Sequence, residues 1–348
     1  MSKIVVITFT GIGNMIMFLP ALERIKKKYS NVQMDLVYMN KGVKNVVERK
    51  HIFDNYYHIS KNPFSFLKLL IHVLKEKYTV SINGLFSSKN VLALIPFFGL
   101  VDYRVGFVDS PDYKNRFSFV YNCPVSMKKD QHEINRRMEL ALVIYPRLEH
   151  ERIKRKPKLN LSNEEKKFAN KFFKDNNISK DDTVISVSVG CNIQHRWKQW
   201  GTYKYCQLCD MLMRKGYKVI FNGSTDELSL INDIEKKMRY DPIVSAGKTK
   251  TVGEAASIIE KSDVSVTNDS GLMHVSYAVD TPVVAIFGPT DVKRAGPINE
   301  KDVVVRKDID CSPCYNLSKK KKCTRKYLCL RSISVSDVFV EVMKTIGE

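Results

Sequence analysis

The sequence predicts an α/β protein built from two doubly wound domains. Short β-branched runs alternate along the chain with segments of helical periodicity, which is typical of a parallel sheet covered by helices. The alternation occurs twice, on either side of a highly charged stretch, and 348 residues are enough for about two domains of ~150 residues each. Hydrophobic residues make up 44% of the chain, so each half has enough apolar side chains for a core. We therefore expect two Rossmann-like domains that face each other across a cleft, with ligands bound outside the carboxyl ends of the strands.

The first half begins with a β-branched strand at Ile4–Phe9, which is followed by glycines and a helical pattern that extends to Tyr29. Further strands of this sheet are predicted at Gln33–Met39, Tyr78–Asn83 and Tyr103–Phe107. A helix is predicted at Phe64–Lys77, because apolar residues recur there on one stripe. The stripe consists of Phe66, Leu69, Leu70, Val73 and Leu74.

The second half repeats the pattern after the charged segment Arg147–Leu161, which we interpret as a linker. A capping box at Ser162–Glu165 predicts the start of a helix. Later helices are predicted at Tyr203–Lys215, Asp226–Met238, Thr251–Lys261 and Gly271–Val279, and strands at Thr183–Val189, Tyr217–Asn222, Asp263–Thr267 and Pro282–Phe287. The predicted domains are residues 1–160 and 161–332, and the last helix, Val335–Ile346 within residues 333–348, is predicted to cross back onto the first domain.

The charge of the chain favours an anionic partner. Basic residues outnumber acidic ones by 57 to 37, which gives a formal net charge of +20. Nucleic acid, a phosphorylated ligand or an acidic membrane surface would be attracted by such an excess, although a solvated lysine-rich surface has the same composition. The basic residues are dispersed rather than interleaved with stacking aromatics, so we expect no nucleic-acid partner.

No targeting or membrane-spanning segment is predicted. The apolar run Ile4–Phe9 is too short for a secretory signal, and no run reaches the ~18 apolar residues of a membrane span. The nearest, Val91–Val101, predicts a buried helix or a surface that touches lipid. Eight cysteines in a chain of this length do not form the framework of a small secreted protein, so we expect a cytoplasmic location.

Polar residues follow the predicted strand Asp263–Thr267 where it meets the next helix. Asp269 or Ser270 can cap that helix, and Gly271 lets a ligand approach the backbone closely. The amides of the first turn and the helix dipole favour an anion such as a diphosphate, and His274 lies one turn further along the same side. The alternative is a well-capped helix with a buried histidine and no ligand.

Other strand ends in the second half also carry candidate ligand-binding residues. The loop Val189–Trp200 collects His195, Arg196 and Lys198 between the two tryptophans of the chain. Arg196 or Lys198 could neutralise a leaving diphosphate, whereas the alternative is a surface loop anchored by its aromatic residues. Glu227, after another strand, is placed to accept hydrogen bonds from ribose hydroxyls, or is a solvated first-turn glutamate.

Two further patterns are less specific. Gly11-Ile-Gly-Asn14 follows the first strand, but Ile16 replaces the third glycine of a dinucleotide fingerprint, so we assign no dinucleotide site and expect Asn14 to cap the helix. The late cysteines are Cys311, Cys314, Cys323 and Cys329. Their thiolates could hold zinc or another soft metal, or remain free, or pair as disulfides, and we assign no metal ligand and no cofactor.

Taken together, these residues make the chain similar to glycosyltransferase family 9, the bacterial lipopolysaccharide heptosyltransferases. Thr267–His274 followed by Thr281–Asp291 resembles the most distinctive signature of that family. Gly11–Leu22 resembles its N-terminal motif, and His195–Trp197 resembles its basic-Arg-Trp motif, in the same order along essentially the whole chain. The resemblance implies the GT-B fold and an inverting glycosyl transfer that needs neither metal nor cofactor.

The resemblance also implies substrates and partners. The donor would be a nucleotide sugar, typically ADP-heptose, held by the C-terminal domain. The acceptor would be a growing lipopolysaccharide core or similar glycan, held by the N-terminal domain at the inner-membrane surface. By motif, Asp269, Ser270, Gly271 and His274 would surround the donor diphosphate and sugar, and Glu227 would bind the ribose. We interpret the chain as a cytoplasmic enzyme associated peripherally with the inner membrane; the alternative is a non-catalytic or differently specific relative that binds nucleotide sugar or glycan.

The chain departs from the family pattern at two positions. Asn14 stands where the family has an aspartate, proposed as the base for the acceptor hydroxyl, and a neutral amide cannot act as a general base. Asn14 is then expected to position the acceptor, with His132 or Asp109 supplying the base. His195 stands in place of the family's lysine, which makes Arg196 the expected partner of the diphosphate.

Overall fold

A computed structural model describes residues 3–60, 62–84, 91–110, 113–145, 156–191, 193–315 and 323–348. The chain divides into two compact units, and the division falls between Pro157 and Lys158. Each unit contains one largely parallel sheet with helices, so the predicted class of two doubly wound α/β domains is confirmed. In the described ranges no helix combines the length and the apolar character needed to cross a bilayer.

The N-terminal unit is built on a sheet whose central strand, β1, is buried from its second residue onward. Its described strands are β1 Lys3–Thr8, β2 Gln33–Tyr38, β3 Asn55–His58, β4 Val80–Asn83, β5 Tyr103–Ser110, β6 Tyr113–Lys114 and β7 Cys123–Ser126. Its described helices are α1 Ile12–Lys28, α2 Lys41–Val47, α3 Pro63–Glu76, α4 Leu94–Phe98 and α5 Glu133–Ile144. The strand order is β3-β2-β1-β4-β5, with β6 and β7 both paired to β5, and of these pairs only β5–β6 is antiparallel. Val5, Val6 and Ile7 of β1 are shielded from solvent on both faces, as a parallel sheet between helices requires.

Helix α1 begins differently from the prediction. Its N-cap is Gly11, which leaves Asn14 inside the first turn instead of at the cap. The helix continues through Pro20 to Lys28 and packs on α5, where the guanidinium of Arg137 lies 6.0 Å from the centre of the Phe18 ring. This packing carries the side chain of Asn14 toward α5.

The C-terminal unit repeats the same strand order. Its described strands are β8 Val184–Ser188, β9 Lys218–Phe221, β10 Ile243–Val244, β11 Val264–Asn268, β12 Val283–Ile286 and β13 Val303–Val305. Its described helices are α6 Asn163–Asp175, α7 Thr202–Arg214, α8 Leu228–Glu235, α9 Val252–Glu260, α10 Gly271–Ala278, α11 Val292–Ala295, α12 Leu328–Arg331 and α13 Val335–Ile346. The order is β10-β9-β8-β11-β12-β13 and every pair is parallel. The order reverses between β8 and β11, which is the switch point where ligands bind in such sheets.

Local signals explain several helix boundaries in this unit. Ser162 and Glu165 form the predicted capping box of α6 through reciprocal hydrogen bonds of 3.3 and 2.8 Å. Gly216 follows α7 with a φ of +95°, a left-handed conformation that suits glycine. The predicted helix Asp226–Met238 is instead a 3-10 turn, Thr225–Glu227, followed by α8, which ends at Glu235.

The C-terminal helix α13 packs on the C-terminal unit. Val338, Val342 and Met343 are buried in the same core as Leu208 and Leu212 of α7. The prediction that this helix crosses back onto the first domain is therefore corrected. Its apolar stripe covers α7 and strands β11 to β13 of its own unit.

Candidate functional site

The carboxyl ends of β8 and β11 lie side by side at the switch point, with Ser188 opposite Thr267. Asn268, fully buried at the end of β11, joins these strand ends to the loop before α7. Its amide nitrogen donates to the carbonyl of Val189 at 2.8 Å, and its Oδ1 accepts from the backbone N–H of Trp200 at 3.1 Å. Because the amide donates on one side and accepts on the other, asparagine suits this position better than aspartate.

Asp269 forms a nearly buried ion pair with Lys198. The Lys198 Nζ lies 2.5 Å from Oδ2 of Asp269, whose side chain is 7% exposed. Burial acts to raise the pKa of Asp269, but the charge and hydrogen bond of Lys198, with a smaller contribution from His274, lower it below its usual value. Asp269 therefore remains ionised near neutral pH and does not exchange protons there.

Helix α10 begins directly after this ion pair. Ser270 is the N-cap residue and has an extended backbone, but its side chain accepts no hydrogen bond from the first turn, so the predicted side-chain cap by Ser270 is not formed. The first-turn N–H groups that begin at Gly271 are thus left for another acceptor. A helix N-terminus of this kind favours an anion.

His274 lies in the first turn of α10 and is nearly buried. Its Nδ1 is 2.8 Å from the hydroxyl of Tyr277, which is itself fully buried, so the orientation of the ring is set by the core. His274 lies in the helical turn that follows Ser270, and it contributes to the lowered pKa of Asp269. His274 is thus both a core histidine with a hydrogen-bond partner and a neighbour of the candidate anion site.

The carboxylate of Glu227 lies over the loop that follows β8. Its Oε2 accepts hydrogen bonds from the N–H and the hydroxyl of Ser224 at 2.7 and 3.0 Å, which fixes the side chain. A Cβ at Gly190 would lie 1.7 Å from Oε1 of Glu227, and one at Gly223 would lie 2.9 Å from Oε2. Glycine at position 190 therefore leaves the space that the carboxylate occupies.

Cys191, which sequence reasoning does not single out, lies close to all of these groups. Burial raises the pKa of its thiol to about 11, and Lys198, Glu227 and Asp269 all act on it electrostatically. Its Sγ donates to the carbonyl of His195 at 2.9 Å. Glu227 lies against Gly190, and Asn268, the residue before Asp269, donates to the carbonyls of Val189 and Gly190, so Glu227 and the ion pair flank the same loop.

The loop before α7 determines which basic side chain forms the ion pair with Asp269. The sequence offers Arg196 and Lys198 as alternatives, and the structure brings Lys198 to Asp269 while the side chain of Arg196 is exposed. The ring of His195 packs edge-on against Trp197 at 5.8 Å. His195 and Arg196, both predicted to bind the donor, lie in the same loop as Lys198, but Lys198 makes the buried contact with Asp269.

The same loop is anchored to the C-terminal segment. The Nε1 of Trp200 donates to the carbonyl of Ile333 at 3.0 Å. The ammonium of Lys204, in the first turn of α7, donates to the carbonyls of Leu330, Arg331 and Ile333 at 3.3, 2.7 and 2.5 Å. The start of α7 and the Lys198 loop are thus tied to residues just before α13.

In the N-terminal unit, the packing of α1 on α5 brings Asn14 to Arg137. The Oδ1 of Asn14 accepts a 3.1 Å hydrogen bond from Nη2 of Arg137, whose side chain is buried. Glu133 holds Arg137 through a 2.9 Å ion pair. Asn14 itself is exposed, so its amide is oriented by a buried guanidinium while it faces solvent.

His132 is the N-cap of α5, and its ring has a structural role. Its Nδ1 accepts a hydrogen bond from the backbone N–H of Ile134 at 3.2 Å. A neutral imidazole in that state carries its proton on Nε2, so it cannot take a second proton while the cap remains. This geometry disfavours His132 as the base and favours a positioning role. Asp109, exposed near the carboxyl end of β5, provides a carboxylate instead.

The late cysteines are free thiols. Burial raises the pKa of Cys329 to about 11, with a further contribution from Cys314. In the part of the chain that the structure describes, no three His, Cys, Asp or Glu side chains are arranged to hold a metal ion. The segment 316–322, between Cys314 and Cys323, lies outside that part.

Comparisons with known proteins identify a family. Residues 67–325, about three quarters of the chain, match the family model of "Glycosyltransferase family 9 (heptosyltransferase)". A lipooligosaccharide heptosyltransferase 2 of Haemophilus influenzae is 28% identical over 240 residues, which cover 67% of each chain. Two solved structures share the fold: a glycosyltransferase family 9 protein of Veillonella parvula (TM-score 0.78, 20% identity) and the Escherichia coli ADP-heptose heptosyltransferase II (0.77, 22%). The first comparison covers 99% of this chain and 97% of the other, and the second covers 99% and 98%.

Proposed function

Because the chain belongs to glycosyltransferase family 9, the heptosyltransferases, and is therefore a glycosyltransferase, we propose that it transfers heptose or a related sugar. The proposed donor is ADP-heptose, and the proposed acceptor is a lipopolysaccharide core or similar bacterial cell-surface glycan. The observation that carries this proposal is the Asp269–Lys198 ion pair at the N-terminus of α10, with Glu227 fixed nearby. These groups match the parts of a nucleotide sugar: a diphosphate, a ribose and a hydroxylated sugar.

On the donor side, we assign the diphosphate to the N-terminus of α10 and the cations beside it. The first-turn N–H groups at Gly271, the ammonium of Lys198 and the exposed guanidinium of Arg196 supply positive potential where the leaving diphosphate gains charge. His195 adds a titratable group to the same loop. Asp269 does not repel the diphosphate strongly, because Lys198 balances its charge, and its carboxylate can accept hydrogen bonds from sugar hydroxyls.

Glu227 is assigned to the ribose. Its carboxylate keeps acceptor capacity beyond the two hydrogen bonds from Ser224, and a ribose diol offers two donors. His274 is assigned to the sugar end of the site, near Asp269.

On the acceptor side, we propose an in-line attack of a sugar hydroxyl on the anomeric carbon, which inverts its configuration without a metal ion. Asn14, oriented by Arg137, would align that hydroxyl, and most of the rate enhancement would come from orientation and from stabilisation of the leaving group. His132 is retained as a positioning residue. Asp109 is the remaining candidate for the base.

The proposed acceptor would bring the enzyme to a membrane. A lipid-linked, phosphorylated core saccharide is anionic and lies at the cytoplasmic surface of the inner membrane. A chain with a formal net charge of +20 would be attracted both to that saccharide and to anionic lipid around it. We therefore propose a peripheral association with the inner membrane.

A second candidate is transfer of a different sugar by the same donor site. Asn14 and His195 favour it, because both stand at positions where the heptosyltransferase pattern has other residues. The two candidates differ in the nucleotide sugar that binds most tightly.

A thermal-shift screen of ADP-, GDP- and UDP-linked sugars separates these candidates. Binding to the native state raises Tm, and a ligand present at 100 times its Kd stabilises the fold by ~2.7 kcal/mol. We expect ADP-heptose to raise Tm more than ADP alone, and the other two nucleotide classes to have little effect. A larger shift with a GDP- or UDP-sugar would contradict the ADP-heptose assignment.

Replacement of Gly190 with alanine is expected to weaken donor binding through Glu227. The added methyl would overlap the carboxylate, so Glu227 must leave its position, and we expect an about tenfold weaker Kd for ADP, near 1.4 kcal/mol. Isothermal titration calorimetry measures this. If the loss acts through Glu227, Gly190→Ala has no further effect in a Glu227→Ala background; additive losses would contradict the ribose assignment.

A further inference from the structure

The N-terminal unit exposes an unusual amount of apolar surface in one region. Among the described residues, ten of the sixteen exposed large apolar side chains lie between positions 64 and 119. The α3–α4 face is defined here as Phe64, Leu67, Ile71 and Leu74 of α3 with Phe97 and Phe98 of α4. Contiguous exposed apolar patches of this kind mark interaction surfaces rather than ordinary protein exterior.

Helix α3 is apolar on two sides. Leu69 and Val73 face the core, whereas Phe64 and Leu67, 73% and 55% exposed, begin a second stripe at helical spacing that faces solvent. The predicted stripe of this helix included Leu74 in the core, and the structure places Leu74 on the exposed side. Because the second stripe faces solvent, it contributes little to the stability of the fold. We therefore expect it to be covered by a binding partner.

The aromatic pair of α4 lies next to this stripe. A Cβ at Gly99 would fall 2.5 Å from Val73, so α4 and its C-terminal turn pack closely on α3. Phe97 contacts Phe98 at 5.3 Å between ring centres and Phe119 at 6.3 Å. The two helices thus present one surface of aliphatic and aromatic side chains.

The charges around the α3–α4 face are mostly positive. The described residues between positions 62 and 104 include four basic and two acidic side chains. Lys68 and Lys75, both exposed, follow Phe64 and Ile71 by one helical turn, and the acid of α3, Glu76, is already paired with Lys3 at 2.6 Å. Apolar side chains bordered by lysines are typical of surfaces that lie in the headgroup region of a bilayer.

We propose that the α3–α4 face binds the surface of an anionic phospholipid bilayer, with its apolar side chains inserted at the acyl boundary and its lysines on the headgroups. The charge favours lipid over a second copy of this chain, because two such faces would bring their lysines together. This surface would be the one through which the enzyme contacts the inner membrane, so the inference rests on the proposed function. It also identifies the partner as lipid rather than glycan.

Vesicle sedimentation of the full chain tests this. We expect binding to phosphatidylglycerol–phosphatidylethanolamine vesicles that weakens with salt, and little binding to phosphatidylcholine vesicles. Leu67→Ser/Ile71→Ser and Lys68→Glu/Lys75→Glu should each bind at least about tenfold more weakly. The matched controls lie in the other unit. Leu328→Ser/Val340→Ser removes two apolar groups that are 39% and 45% exposed, against 55% and 44% for Leu67 and Ile71. Lys167→Glu/Lys174→Glu reverses two exposed lysines at the same spacing and with the same change of net charge.

A site-specific reporter adds a second readout. In Leu67→Trp, brominated lipid should quench the new fluorescence more than that of Trp197 and Trp200 in the parent protein. Equal vesicle binding by all four variants, or an unquenched reporter on bound protein, would overturn the proposal. A change of mass in light scattering for Leu67→Ser/Ile71→Ser, with vesicle binding intact, would show instead that the face joins two copies.

Failure of this inference can be told apart from failure of the proposed function. Transfer to a deacylated, water-soluble acceptor requires no membrane, so it should be unchanged in Leu67→Ser/Ile71→Ser. Vesicle binding requires no donor, so a chain that binds vesicles but fails the nucleotide-sugar screen would retain the lipid surface and lose the donor assignment.

Discussion

Replacing Asp269 with alanine is expected to lower kcat/KM for glycosyl transfer by about 10³-fold or more while the protein remains folded. The substitution removes the group that positions Lys198 and leaves that ammonium nearly buried without its counter-ion. Stability should fall by about 2 kcal/mol, less than for a fully buried pair because Lys198 keeps some contact with solvent. Steady-state kinetics and the thermal unfolding midpoint measure the two effects separately.

The double variant Lys198→Met/Asp269→Ala distinguishes catalysis from stability. Removing the unpaired ammonium should recover part of the stability lost in Asp269→Ala but none of the activity. The exposed pair Lys171–Asp175 in α6, with an N–O distance of 2.6 Å, is the matched control, and its removal should change neither quantity appreciably. Turnover of Asp269→Ala within tenfold of the parent would show that the donor site lies elsewhere.

Replacing Asn14 with aspartate is expected to raise kcat by about tenfold or more, because it supplies a carboxylate where the chain has a neutral amide. The guanidinium of Arg137 lies 3.1 Å from the atom concerned, and its charge would hold the pKa of the new carboxyl below the usual range. The carboxyl would then be ionised at neutral pH. The gain should be present above that pKa and disappear as the pH falls through it.

A pH–rate profile of Asn14→Asp tests whether the gain in kcat disappears as the pH falls. Asn14→Ala, which removes the hydrogen bond with Arg137 without adding a base, is the control and should be slower than the parent. If Asn14→Asp has the rate of the parent or less, a base is already supplied, and Asp109→Asn then becomes the deciding substitution. If only Asp109→Asn abolishes transfer, the idea of a missing base at position 14 is wrong.

Much of the fold could be predicted because its buried strands are β-branched and bounded by polar turns. The runs near Ile4, Gln33, Thr183 and Asp263 all became strands in the expected order. The two- and three-residue strands β6, β10 and β13 are too short to show any periodicity. Strands β10 and β13 exist through pairing with β9 and β12, and β6 exists through antiparallel pairing with β5, the strand directly before it.

Other helices begin at capping residues that helix propensity alone does not reveal. Helix α2 is capped by Asn40, which accepts from the N–H of Gly42 at 2.9 Å. Helix α5 is capped by a histidine, which is an uncommon N-cap. The position of α13 could not be read from its amphipathic pattern, because an apolar stripe does not specify which unit will cover it.

In the candidate site, too, some residues could be predicted from the sequence and others could not. Asp269, Ser270, Gly271 and His274 could be located because a strand end before a helix has a recognisable composition. The choice of Lys198 over Arg196 depends on the turn Ile193–Lys198, whose geometry has no sequence signature. The space that Gly190 leaves for Glu227 likewise depends on the tertiary structure, because the two residues are distant in the sequence.

The hydrogen bonds from Trp200 and Lys204 to the carbonyls of residues 330–333 have a consequence for chimaera design. The loop Ile193–Trp200 and the residues before α13 are more than 130 positions apart, yet they are joined by hydrogen bonds and should be exchanged as one unit. In a hybrid that takes Ile193–Trp200 from one family member and the C-terminal segment from another, these hydrogen bonds would be lost, and we expect Lys198 to be misplaced. Segment exchange aimed at new donor specificity should therefore transfer both pieces together.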